Sequence, residues 1–207
     1  LVSAADPGPD AEIAFIEANA RLQVEHTVTE AVTGLDLVAL QLHIARGATL
    51  AHLGLLQPQV PAPRGMALQA RVNLETMAAD GTARPAGGVL TAFEPPGGPG
   101  LRVDAAGYAG YATSPRFDAL VAKLIVHTPG SDLGALCRKA ERALAEFRIG
   151  GSATNIGFLQ ALLRHPAVAA GQAHTRFVDQ HIAALLADAA RPGTASASSA
   201  AMCWSTK

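Results

Sequence analysis

From Ile16 to Glu25 apolar and polar side chains alternate without a break: Ile16, Ala18, Ala20, Leu22 and Val24 stand against Glu17, Asn19, Arg21, Gln23 and Glu25. Successive side chains of a strand point to opposite faces, so the pattern predicts a half-buried β-strand over residues 13–25. The ordinary meaning of such alternation is a solvated face on a one-sided sheet. Two features point elsewhere. Solvated strand faces favour Thr, Lys and Ser, whereas Asn is a poor strand former. The polar row also sets two carboxylates around a central Arg, a group able to hold a metal ion, an anion and a proton.

The pattern changes after "HTVTEAVTG". In "LDLVALQLHIARG", Leu35, Val38, Leu42 and Ala45 share one helical face, Thr33 and Asp36 resemble a capping box, and Gly47 suits a helix stop. The Pro-rich "LLQPQVPAPRG" reads as a connection between substructures. Strand-like stretches follow: "ALQARVNL" alternates, "ALVAKLIVH" is a mostly apolar run, and "GVLTAFE" and "LRVDA" flank "PPGGPG", which reads as a hairpin turn. Residues 81–88, "GTARPAGG", read as loop or turn. Leu133, Leu136, Ala140, Ala143, Leu144 and Phe147 then recur at helical spacing. Thr154 is placed to cap a helix through Ile156, Leu159 and Leu163, and Thr175 one through Val178, Ile182 and Leu185. Residues 1–12 read as a loop, and everything from Asp188 onward as a disordered tail or the start of a linker. Strands first and helices later, without strict βα alternation, predict an α+β chain.

Composition narrows the classes. Hydrophobic residues make up 49% of the 207 and charged ones 16%, which supports a sizeable core and excludes the disordered class. A net charge of −1 gives no reason to expect nucleic acid or an acidic membrane as partner. Cys137 falls in a predicted helix and Cys203 in the tail, so no structural disulfide and a reducing cytoplasm are expected. No apolar run approaches the ~18 residues that span a bilayer. The acidic start "LVSAADPGPDAE" is the opposite of a signal peptide, and Leu1 reads as something other than a natural beginning. "PPGGPG" lacks the Lys–Ser/Thr ending of a phosphate cradle, and the histidines and cysteines show no zinc-like spacing. His26 reads as a structural histidine at the strand's end, with a catalytic role as the alternative, and Asp118 and Lys123 as parts of an internal framework, with contact to the active site as theirs.

In "FIEANARLQVEH…TE…TG.DLV" the chain resembles the biotin carboxylase family. The likeness continues through "GGPGLRVDAAGYAGY", "SPRFDALVAKLIVH", "ALAEFRIGGSATNIGFLQALLRHP" and "HTRFVD", from about Ile13 to Leu186. The resemblance implies that residues 1–50 are the C-terminal part of an ATP-grasp domain and 51–63 a connection. It implies that 64–187 form a biotin carboxylase C-terminal domain, an antiparallel sheet with helices, with 188–207 as tail or linker. The implied reaction is the ATP- and bicarbonate-dependent carboxylation of biotin through carboxyphosphate. Its implied cofactors are ATP, Mg²⁺ or Mn²⁺, and biotin on a carrier absent from these residues.

On that resemblance Glu17 matches the family's metal-binding glutamate, with Asn19 beside it. Arg21 takes bicarbonate, a planar anion that suits a guanidinium fork. Gln23 and the backbone of Val24 complete the cradle, and Glu25 matches the base that takes the bicarbonate proton. Arg102 matches the arginine that binds the biotin ureido oxygen and steadies the enolate. The implied partners are a biotin carrier, a carboxyltransferase and a second copy joined through the C-terminal domain. "LETMAADGTARPAGG" departs from the family's usual loop in a way associated with large single-chain acyl-CoA carboxylases. No glycine-rich lid, phosphate-binding lysine or Ala-Met-Lys-Met motif is found, so the 207 residues are expected to be inactive alone. The alternatives are a non-catalytic dimerisation module or another ATP-grasp ligase of the carbamoyl-phosphate synthase type.

Overall fold

A nine-residue strand, β6 (Leu120–Thr128), organises the chain. Val121, Ala122, Leu124, Ile125 and Val126 are all buried, because a continuous apolar run needs cover on both faces. The structure, a computed structural model, describes residue 15, residues 17–114 and residues 117–191. Strand β6 is the centre of a three-stranded antiparallel sheet, between β1 (Met66–Asn73) and β5 (Leu101–Ala105). Helix α3 (Leu133–Glu146) packs on β1 and β6 through Leu136, Cys137, Ala140, Ala143 and Leu144. The Asp132 carboxylate caps it, accepting the Ala135 N–H at 3.0 Å.

Around this frame lie two short antiparallel pairs, β2 (Glu75–Met77) with β3 (Ala83–Pro85), and β4 (Ala92–Glu94) with β7 (Arg148–Gly150). Helix α4 (Ile156–Arg164) packs on α3 and on α6 (Phe177–Ala189), with the four-residue α5 (Pro166–Ala169) between. Helices and antiparallel strands mix as the α+β expectation required. No single helix among the described residues is long and apolar enough to cross a membrane.

Several local expectations fail for identifiable reasons. "PPGGPG" is no hairpin turn: β4 pairs with β7 and β5 with β6, so the loop crosses between sheets. Residues 83–85, expected as loop, form β3 by pairing with β2. The α4 N-cap is Asn155 rather than Thr154, and the α6 N-cap is Arg176 rather than Thr175. Asn155 is recruited instead as a strut, its carboxamide bonding the Asn73 N–H, the Arg71 carbonyl and Glu75. Helix α6 runs two residues into the stretch expected as tail; residues 192–207, Cys203 included, lie outside the described residues.

The N-terminal expectation changes most. Residues 17–25 form no strand, because no ladder partner among the described residues runs beside them and an unpaired strand leaves its backbone groups unsatisfied. The segment turns instead, with Arg21 N–H on the Asn19 carbonyl and His26 N–H on the Gln23 carbonyl. It enters a helix that period-two reading did not anticipate, α1 (His26–Thr33). Gly34, at φ +76°, closes α1 in the left-handed region that favours glycine. Helix α2 (Leu37–Ala45) starts at Asp36, whose side chain accepts the Ala39 N–H at 2.8 Å. Thr33 does not cap α2; its hydroxyl donates back to the Thr29 carbonyl and accepts the Leu35 N–H at 3.3 Å. Val38 and Leu42, expected to face a core, are exposed, and α2 has no buried residue.

Candidate active site

The period of two that fails at the N-terminus governs the sheet. Pairing of β1, β6 and β5 lines up Arg71, Lys123 and Asp104 as one cross-strand row, and Gln69, Ile125 and Arg102 as the next. Alternate residues (Ala70 and Val72 on β1, Ala122, Leu124 and Val126 on β6) enter the core with α3. Helix α1 packs on β1 and β6, and its side chains meet the polar rows: Thr27 donates its hydroxyl to Gln69 Oε1 at 2.5 Å.

The contacts close into a ring. Arg102 Nε and Nη2 donate to the two oxygens of Asp104 at 2.7 and 3.0 Å, and Nη1 donates to Glu30 Oε2 at 2.8 Å. His26 Nδ1 lies 2.9 Å from Glu30 Oε1; an ionised carboxylate only accepts, so the histidine donates there. Lys123 Nζ lies 3.5 Å from His26 Nε2, 3.5 Å from the Val24 carbonyl oxygen and 3.4 Å from Asp104 Oδ2. Two carboxylates thus alternate with two cations around one imidazole. Three of the five guanidinium N–H groups of Arg102 are engaged, leaving one on each Nη for a ligand.

The charges are mutually sustaining. Burial alone would push the Glu30 carboxyl up, but hydrogen bonds from Arg102, His26 and the Leu37 N–H outweigh it and hold the group below the usual carboxylate value. Burial likewise opposes Asp104, and the Arg102 guanidinium, helped by Lys123, holds it low. Asp104 first and Glu30 second raise Arg102, which stays protonated throughout. Carboxyls depressed in the folded state add stability that is full above their unfolded values and lost as pH falls through the folded ones. The thermal midpoint gap between the natural chain and Glu30→Gln is therefore expected to be widest near neutrality and to shrink as pH is lowered from 6 to 3. A gap that stays constant over that range would contradict the ionised state of Glu30.

The turn ahead of Arg102 is fixed from α3: Lys139 Nζ donates to the carbonyls of Pro99 at 2.8 Å and His127 at 2.9 Å. Gly100, at φ +70°, has no room for a Cβ, which would meet the His127 carbonyl at 2.5 Å. A cleft of about 540 Å³ lies between this turn and the α1–α2 corner, lined by Glu30, Gly34, Asp36, Gly100, Arg102 and His127 among others.

Of the residues singled out by sequence, Val24, Glu25 and Arg102 come to one region. Lys123 meets the Val24 carbonyl, and Glu25 Oε2 lies 3.8 Å from Arg71 Nη2 on β1. Gln23 is half-buried just before the turn. Glu17, Asn19 and Arg21 are exposed and make no hydrogen bond or ion pair with the ring; Asn19 Nδ2 donates to Glu17 Oε1 at 3.3 Å and Arg21 Nη2 to Asn19 Oδ1 at 3.5 Å. A hard divalent cation wants oxygen ligands. The Glu17 carboxylate fits, and the Asn19 carboxamide would fit after a half-turn, with the remaining positions left to phosphate oxygens and water. Sequence reading gave no site role to Glu30, Arg71 or Asp104 and placed Lys123 first in the framework. Glu30 was marked by its i,i+4 spacing from His26, Arg71 by the alternation of "ALQARVNL", and Lys123 by being the one charge in "ALVAKLIVH". Asp118 is framework, its carboxylate accepting the Leu120 N–H.

Comparison with known proteins identifies the family. Residues 69–180, more than half of the chain, match the biotin carboxylase C-terminal domain, and residues 5–53 match the ATP-binding domain of the carbamoyl-phosphate synthase L chain. Pyruvate carboxylase of Pichia angusta is 46% identical over 166 residues, 80% of this chain and 14% of that protein. A single-chain, multi-domain long-chain acyl-CoA carboxylase superposes with a TM-score of 0.79 at 49% identity, over 84% of this chain and 18% of that one. The biotin carboxylase domain of a single-chain bacterial carboxylase gives 0.78 at 46% identity, over 88% of this chain and 41% of that one. The chain thus spans about 14% of the length of the curated relative it matches. With sequence, fold and a matched domain in agreement, the chain belongs to the biotin carboxylase family.

Proposed function

We propose that these residues supply the bicarbonate- and biotin-facing part of a biotin carboxylase, the ATP-dependent half-reaction of an acyl-CoA or pyruvate carboxylase type of enzyme. The observation that carries the reading is Arg102. Asp104 and Glu30 hold it on two sides and leave one N–H on each Nη, the pattern a ureido oxygen needs. The same ring reaches through Lys123 to the Val24 carbonyl, beside Glu25.

In this reading Arg21 takes bicarbonate, with Gln23 and the Val24 backbone, and Glu25 takes its proton. Arg102 stabilises the negative charge that develops on biotin when its ring nitrogen is deprotonated. Glu17 and Asn19 would hold Mg²⁺ or Mn²⁺, which when bound neutralises phosphate oxygens of ATP. Residues 1–50 belong to the ATP-binding unit and 64–187 to the C-terminal domain, joined by 51–63. A biotin carrier delivers the substrate, a carboxyltransferase consumes the product, and a second copy docks through the C-terminal domain, all in the cytoplasm.

Beyond the metal ligands Glu17 and Asn19, no phosphate-handling group of the reaction is assigned to these residues. The purified 207-residue chain, given ATP, Mg²⁺, bicarbonate and biotin, is therefore expected to release no phosphate above the blank, whereas the full-length carboxylase carrying it releases phosphate in a biotin-dependent way. Biotin-dependent release from the 207 residues alone would overturn this division of labour.

A further inference from the structure

We propose that Glu30 is the positioning residue of this site: its carboxylate locks Arg102 to the His26 turn that carries Glu25, so that the biotin-binding and proton-accepting ends keep one spacing. The inference rests on the functional reading above and adds a residue to which that reading gives no role.

Glu30 is the one charged side chain counted as buried among the described residues, 9% exposed. Its two oxygens are spent on three different elements: Oε2 on Arg102 of β5 at 2.8 Å, and Oε1 on His26 at 2.9 Å and on the N–H of Leu37, the first residue of α2, at 3.1 Å. A buried carboxylate is costly unless fully paired, so such a group persists where its partners need fixing. Without it, Arg102 would be gripped only along its Nε–Nη2 edge by Asp104, and Nη1 would lose its anchor. The histidine would also lose the acceptor of its Nδ1, and with it the orientation of Nε2 toward Lys123 beside the Val24 carbonyl.

A role exerted through Arg102 is separable from a general structural one. In the full-length carboxylase with free biotin as the varied acceptor, Glu30→Gln is expected to raise the KM for biotin about tenfold while the KM for ATP stays within about twofold. In an Arg102→Lys background the same change is expected to add less than about twofold, because the group it positions is already lost. Glu30→Asp keeps the charge but falls short of Arg102, and serves if the Gln variant does not fold; it is expected to raise the KM for biotin severalfold. Unchanged biotin KM in either variant, or full additivity with Arg102→Lys, would overturn the proposal. Normal biotin kinetics in Arg102→Lys alone would instead overturn the functional reading on which it rests.

Discussion

Glu25→Gln and Arg21→Ala, each made in the full-length carboxylase, are expected to abolish carboxylation of biotin while leaving the fold intact. Neither side chain holds the structure together. Glu25 precedes α1 without making a side-chain cap, and its one ion pair, to Arg71 at 3.8 Å, is solvent-exposed, a kind of contact worth ~1 kcal/mol or less. Arg21 is exposed and, among the described residues, its side chain bonds only to the neighbouring Leu22 carbonyl and to Asn19, at 3.4 and 3.5 Å. Loss of activity would therefore report chemistry. A carboxamide cannot accept the bicarbonate proton, and removing a positioned general base costs about 10²–10⁴-fold in rate. Arg21→Lys should be nearly as damaging as Arg21→Ala, because an ammonium cannot offer two parallel N–H groups to a planar anion. The measurement is fixation of labelled bicarbonate into biotin, with circular dichroism to confirm folding. Near-normal turnover in Glu25→Gln would refute its assignment as the base.

What the sequence conveyed well was period. The alternation of "ALQARVNL" and the apolar run "ALVAKLIVH" became β1 and β6, and the three- and four-residue spacing from Leu133 became α3. Such signals survive because burial acts on each residue separately. Pairing is different. Whether β4 meets β5 or β7 depends on partners more than fifty residues away, and nothing local in "PPGGPG" reports it. Caps failed for a related reason: Asn155 holds the N-cap position but spends its side chain as a strut to β1, a tertiary demand that local capping rules cannot see.

The site was legible in part for the same reason. Arg102 and the row from Glu17 to Glu25 stood out through spacing and family likeness. The residues that bind them together did not. Glu30 and Lys123 stood within the quoted motifs without a role, and Lys123 and Arg71 act because sheet register places odd-numbered β1 and β6 positions and even-numbered β5 positions on one face, against which α1 sets Glu30. The alternation over 16–25 misled in the opposite direction. It reports which side chains want different surroundings, but hydrogen-bonding partners decide whether a strand forms.

Arg102→Ala is the second change with a large expected effect, and it should register twice. In activity, loss of both remaining N–H donors is expected to lower biotin-dependent kcat/KM about 10²–10³-fold, the usual cost of removing a donor aimed at developing negative charge. In stability, the cost should come from what is left behind. Glu30 is buried and Asp104 partly so; without Arg102, Glu30 retains only His26 and the Leu37 N–H, and Asp104 retains only Lys123 at 3.4 Å. A hydrogen bond to a charged group contributes about 1.5–3 kcal/mol, so a loss of that order is expected in denaturant unfolding at pH 7. Combining Arg102→Ala with Glu30→Gln should restore part of the stability, because the unpaired charge is gone, and restore none of the activity. Recovery of activity in the double variant would show that Arg102 serves the ring alone and never meets the substrate. Equal stability losses in the single and double variants would mean that Glu30 is not left as an uncompensated charge.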